Sequence, residues 1–247
     1  MSDFEEKIYL ARVAEQCERY DDMIDFLQIL RSKKGDLTID ERNLVSVAYK
    51  NEVTSRRSAW RAISTIASNA KYEQYADVLK KYNDQIVSEM ETIWQDVKDL
   101  CDTVFIQNAE ETESKVFFSK MKGDYFRYMA EVTTGGKLEE YKQAALSAYD
   151  EAQKEAEKLI VSHPIRLGLA LNFSVFHYEI MNQSKEACKL AKETFENAIN
   201  AIDDMKEDEY KDAAMILQLL KDNITLWNAE FEDDDGDDKD GNDVIDL

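Results

Sequence analysis

The chain has 247 residues, with 52 acidic and 31 basic side chains, a net charge of -21, one proline and seven glycines. Proline and glycine punctuate strands and tight turns, so a chain this poor in both is not expected to form a sandwich or barrel and reads as all-α, with a 44% hydrophobic share to build a core. The negative field disfavours nucleic acid and anionic membranes as general partners. No stretch approaches 18 consecutive apolar residues, and MSDFEEKIYL carries acids where a signal peptide would be basic and then apolar; a soluble, non-exported protein is expected. Cys17, Cys101 and Cys188 are far apart and fit a reducing, cytoplasmic setting better than a disulfide framework or zinc ribbon.

Apolar residues recur every three or four positions in about nine segments. Arg19 to Asp22 separates two short amphipathic runs, and Gly35 suits a left-handed cap after the second. Thr38 with Glu41 forms the pattern of a capping box opening a long helix to about Ser68. A second long helix is expected from about Tyr72 to Gln107, followed by a polar gap from Asn108 to Glu113. Gly135-Gly136 is expected to end the next helix, and Pro164 to open the one after His163. Gln183-Ser184 and Lys206 to Asp208 separate the last three. A helical domain over 1–229 is therefore expected, followed by an unstructured acidic tail over 230–247, where ten acids face one lysine.

Signatures of catalysis are missing from the sequence. There is no G-x-S-x-G elbow, and the Gly136-Lys137 pair lacks the glycine and hydroxyl partners of a phosphate loop, with Glu131 and Leu138 in their places. A calcium loop registered on Gly241 would begin at Gly236 and end at Leu247, without the needed carboxylates. His163 reads as a loop residue and His177 as a packed helix residue, neither with a metal-ligand motif beside it. No catalytic residue, metal or cofactor is expected.

Basic charge is the exception in an acidic chain. Lys50, Arg57 and Arg61, at i, i+7 and i+11, fall within about 20° of one line on a helix. Lys120 and Arg127 form a second stripe, with the Tyr128 hydroxyl beside it. Solvated local ion pairs, such as Arg127 with Asp124 and Glu131, are the plainer reading of these charges. Two further faces favour a ligand instead. Gly168, Leu171, Asn172, Val175 and Glu179 share one, and Ile216, Leu219, Asn223, Leu226 and Trp227 share another. Each sets an amide into an apolar surface, where it can pair with an extended peptide backbone.

Five blocks, RNLVSVAYKN at 42–51, RRSAWR at 56–61, ESKVFFSKMKGDYFRY at 113–128, HPIRLGLALNFSVFHYEI at 163–180 and YKDAAMILQLLKDNITLW at 210–227, make the sequence resemble the 14-3-3 family. The resemblance implies nine antiparallel helices per protomer and a cup-shaped homodimer or heterodimer with an amphipathic groove in each protomer. It implies a non-catalytic adaptor, cytoplasmic and reaching the nucleus through its clients, that binds phosphoserine or phosphothreonine segments. Lys50, Arg57, Arg127 and Tyr128 would hold the phosphate, Asn172 and Asn223 the ligand main chain. Gly168, Leu171, Val175, Ile216, Leu219 and Leu226 would form the apolar wall, with Glu179 and Trp227 as a supporting pair and Arg61 and Lys120 as peripheral charges. Arg19, Asp22 and Glu89 would lie at the dimer interface, although Gln85 stands where the family commonly has the lysine opposite Asp22. The competing expectation is a helical-repeat scaffold that binds peptides regardless of phosphorylation.

Overall fold

A computed structural model describes residues 2–201 and 207–237. Among these the protein is all-α, with nine helices of eight residues or more and no strand. The chain gathers into two compact units, 1–155 and 156–247.

In the first unit, α1 (Asp3–Gln16) starts at a capping box between Ser2 and Glu5. Next, α2 (Tyr20–Leu27) tightens into a 3₁₀ stretch, Gln28–Ser32. The longest helix of this unit, α3 (Ile39–Ala67), opens at the expected capping box: Thr38 Oγ1 accepts the Glu41 N–H at 3.3 Å, while Glu41 Oε2 accepts the Thr38 N–H at 2.7 Å. These bonds satisfy donors that helix geometry leaves orphaned. Gly35 takes the expected positive φ of 86°, but two residues beyond the extended Lys33 that caps the 3₁₀ stretch.

The second long helix is less continuous than its periodicity suggests. Asn69 caps the Lys71 N–H and sets a 3₁₀ stretch, Ala70–Tyr75, before α4 (Ala76–Leu100) begins. A π-helical turn, Cys101–Phe105, then buries Cys101, Val104 and Phe105 together, ahead of a three-residue turn, Ile106–Asn108. One extra residue in a turn re-aims side chains that a regular helix would carry past the core. The unit is completed by α5 (Thr112–Val132) and α6 (Gly135–Ala156). Gly135-Gly136 thus opens α6 instead of closing α5: Gly135 has φ of 65°, and α5 stops at the extended Thr133.

The core of this unit runs between α2, α3, α4 and α5 through Met23, Leu44, Val45, Met90, Val97 and Phe118, with Phe105 stacked on Phe118 at 4.7 Å. Burial of such side chains contributes about 1.5–3 kcal/mol each before conformational entropy is subtracted. It fixes the register of α3 against α5, and so the position of every charged side chain the two helices carry.

The second unit contains α7 (Pro164–Glu179), α8 (Ser184–Asn200) and α9 (Glu207–Asp237). Pro164 opens α7 as expected, and the ring of His163 accepts the Ile165 N–H at 3.2 Å as an N-cap. Ala187, Ala191, Ala198 and Ala213 are fully buried, allowing close helix approach around Leu167, Leu217 and Leu220. The last helix continues to Asp237, eight residues into the segment expected to be an unstructured tail. An acidic run lowers helix propensity by only a few tenths of a kcal/mol per residue, while each added residue of a nucleated helix gains a hydrogen bond. The remainder of that segment, 238–247, lies outside the described residues.

Candidate functional site

Lys50, Arg57 and Arg61 rise along α3 and Lys120, Arg127 and Tyr128 along α5, and the packing of these helices brings most of them together. The Arg57 guanidinium carbon lies 4.1 Å from the centroid of the Tyr128 ring, and that of Arg127 lies 4.7 Å from it. Two cations thus rest on one aromatic ring, which offers each an electrostatic attraction of about 0.5–2 kcal/mol. Arg127 is buried at 7% exposure, whereas Lys50 is exposed and makes no ion pair with any described residue.

Carboxylates orient the arginines. Glu131, one turn beyond Arg127, divides its oxygens: Oε2 accepts from Arg57 Nε at 2.8 Å and Oε1 from Arg61 Nε at 2.7 Å. The local pairing expected within α5 is therefore replaced, for Glu131, by a bridge to α3. Lys120 donates to Asp124 Oδ2 at 2.8 Å, so the expected peripheral charge serves a buried acid. Asp124 Oδ1 accepts from the Tyr149 hydroxyl at 2.6 Å, and that hydroxyl accepts from Arg127 Nε at 3.3 Å. Burial alone would raise the Asp124 pKa, but Lys120 and Arg127 hold it below the usual carboxylate range. Burial works against the charge on Arg127, and the neighbouring Tyr149, Tyr128 and Asp124 outweigh it, so this guanidinium stays protonated.

Arg57 and Arg61 thus meet at Glu131, Lys120 and Arg127 act on Asp124, and Lys50 stands two turns before Arg57 on α3, all in a chain whose net charge is -21. Guanidinium forks of this kind match the oxygens of a phosphate. A separate hollow lies on another face of α3. It holds about 1000 Å³ and is lined by Ile24, Tyr49, Arg56, Trp94 and Tyr141 among others. Seven carboxylates against two cations line it, so it repels what the arginine cluster attracts.

In the second unit, Leu219 and Leu226 are 48% and 58% exposed on α9, with Ile216 and Asn223 half-buried beside them. On α7, Gly168, Leu171, Asn172 and Val175 are half-buried and Glu179 is exposed. Trp227 is 3% exposed and stacks on Tyr178 at 4.7 Å. His177 is half-buried against Phe173, with a ring nitrogen 2.8 Å from Gln183 Oε1. Among the described residues, no group of three His, Cys, Asp or Glu side chains could hold a metal ion, and no helix is long and apolar enough to cross a membrane.

The residues expected at a dimer interface are engaged within the protomer. Arg19 forks onto Asp22, with Nη2 2.9 Å from Oδ1, and Glu89 accepts from Gln85 at 3.1 Å and Arg56 at 3.3 Å. Tyr9 and Val13 on α1 and Val78 and Tyr82 on α4 are 40–66% exposed.

Residues 10–228 match the sequence profile described as "14-3-3 protein". Over 238 residues the chain is 45% identical to "14-3-3 protein 2" of Entamoeba histolytica, covering 95% of this chain and all of that protein. It is 46% identical over 239 residues to "14-3-3 protein 2" of Solanum lycopersicum, covering 94% of each. Identity to "14-3-3-like protein B" of Nicotiana tabacum is also 46%, again over 94% of each chain. The chain belongs to the 14-3-3 family. Membership makes it a non-catalytic adaptor or scaffold that works by binding client proteins.

Proposed function

We propose that the chain binds client segments carrying phosphoserine or phosphothreonine, with Lys50, Arg57, Arg127 and Tyr128 gripping the phosphate. The observation that carries this reading is the meeting of Arg57 and Arg127 on the Tyr128 ring, with Lys50, which makes no ion pair with a described residue, two turns before Arg57 on α3. A phosphate near neutral pH bears about -1.5 to -2 charge and three acceptor oxygens. Charge-assisted hydrogen bonds contribute about 1.5–3 kcal/mol each, so two or three separate a phosphorylated peptide from its bare counterpart by several powers of ten after desolvation. Glu131 and the Asp124–Tyr149 pair hold the arginines in place beforehand, which lowers the entropy lost on binding.

The second unit carries a peptide-binding surface of its own in this reading, on α7 and α9. Asn172 and Asn223 bond the ligand main chain, and Gly168, Leu171, Val175, Ile216, Leu219 and Leu226 take its apolar side chains; the exposure of Leu219 and Leu226 supports this. Arg61 and Lys120 set the field around the phosphate. The exposed Tyr9, Val13, Val78 and Tyr82 support a dimer, through a like or related protomer, in which two grips hold two phosphosites of one client.

The test is calorimetric titration of one phosphoserine peptide and its unmodified twin, with sedimentation of the protein alone. The proposal expects binding of the phosphorylated form only, and a dimer. Equal binding of both peptides would instead indicate a scaffold indifferent to phosphate.

A further inference from the structure

We infer that Tyr149 is a positioning residue of the phosphate grip: its hydroxyl relays the charge of Asp124 to Arg127, and Gly123 is kept small to admit its ring. The inference rests on the proposed phosphate site and adds to it a residue that the basic stripes do not contain.

The three groups form one chain of hydrogen bonds, Arg127 Nε to Tyr149 Oη at 3.3 Å and Tyr149 Oη to Asp124 Oδ1 at 2.6 Å. All three are buried, with Tyr149 wholly enclosed. Lys120 occupies Oδ2, the other oxygen of the acid. The phenol is a donor to the carboxylate, so its own oxygen becomes a stronger acceptor for the guanidinium. Burial, and after it the charge on Asp124, keeps the phenol protonated.

The same device recurs for the neighbouring arginine with a different anchor. Arg57 is held at Nε by Glu131 and by its face on Tyr128; Arg127 is held at Nε by Tyr149 and by its face on that same ring. In each case an edge and a face are fixed, which sets the plane of the fork. At Arg127 Nε the acceptor is a phenol, which stands between the guanidinium and the Asp124 carboxylate.

Gly123 shows that the fold reserves space for this ring. A Cβ at Gly123 would stand 2.9 Å from two ring carbons of Tyr149. Glycine in a helix interior is unfavourable, and its presence in α5 is explained by the ring pressed against it.

Tyr149→Phe keeps the ring and its fit on Gly123 while removing the hydroxyl, which separates positioning from packing. Titrated with a phosphoserine peptide, it is expected to bind about tenfold more weakly than wild type, the loss of one alignment made through a charged group. In an Arg127→Lys background, which lacks Nε as a guanidinium donor, Tyr149→Phe should cause no further loss; in an Arg57→Lys background it should again cause about tenfold. Unchanged affinity in the single variant, or the same loss in both backgrounds, overturns the inference. Should Tyr149→Phe fail to fold, the wild-type protein still decides: the Arg127 Nε–H resonance is expected to be protected from solvent exchange, and free exchange overturns the relay. Wild type that binds no phosphopeptide would refute the proposed function, and the relay would then stand or fall on that resonance.

Discussion

The Arg57 guanidinium on α3 lies 4.1 Å from the Tyr128 ring centroid on α5, so one aromatic side chain ties together two helices that carry the positive charge. Arg127 shares the ring at 4.7 Å. Tyr128→Phe keeps this platform and removes only the hydroxyl, which should weaken phosphopeptide binding by about 2–10-fold. Tyr128→Ala removes the platform as well, and a further loss of about tenfold is expected from the two cation–π contacts. Calorimetry on both variants checks this; equal losses would mean that the ring does not hold the arginines.

Gly123→Ala sets two effects against each other. Replacing a helix-interior glycine by alanine favours the helix by up to about 1 kcal/mol, whereas overpacking a filled core costs about 1–3 kcal/mol. The steric effect should win, because the Tyr149 ring that the new methyl meets is fully buried and tied by its hydroxyl to Asp124 and Arg127. We expect a net loss of about 1–2 kcal/mol, seen by scanning calorimetry as a melting temperature lower by about 2–6 °C. A melting point equal to wild type or higher would show that the helix can shift freely under Tyr149.

Glu52, on the cavity side of α3, titrates in an unusual range. Burial pushes its carboxyl up to about 7, with Arg56 pulling it down and Asp21 and Glu89 adding to the rise. The folded state therefore holds this proton more tightly than the unfolded chain. The resulting stability is complete below the unfolded pKa of about 4.3 and is lost as pH rises through about 7. Asp22, Asp102 and Asp124 are shifted down and act oppositely, losing their contribution only in acid below their ordinary range. Between about pH 5 and pH 8 the melting temperature of wild type should fall relative to that of Glu52→Gln. Parallel profiles for the two proteins would remove Glu52 as the cause.

What the sequence made legible was whatever follows from position along one helix. The Thr38–Glu41 capping box formed as read, and the stripe of Lys50, Arg57 and Arg61 follows from helical geometry alone. Contacts between helices were not legible. Tyr149 reaches Arg127 from α6, and no spacing rule links the two, although an interior glycine at 123 in a chain with only seven was a usable sign of close packing. Glu131 was readable as a partner of Arg127 by spacing, but the fold gives its oxygens to Arg57 and Arg61. Gly135-Gly136 misled because a residue that tolerates positive φ serves a helix start as well as an end.

Lys50 tests the central claim most directly, because it is exposed, carries no ion pair among the described residues, and can be reversed in charge without opening the core. Lys50→Glu should retain the wild-type melting temperature within about 2 °C, as a surface change. Its affinity for a phosphoserine peptide should fall by a hundredfold or more, to about that of the unmodified peptide, since one attraction becomes a repulsion beside the phosphate. Binding of the phosphorylated peptide by folded Lys50→Glu at wild-type strength would contradict the account.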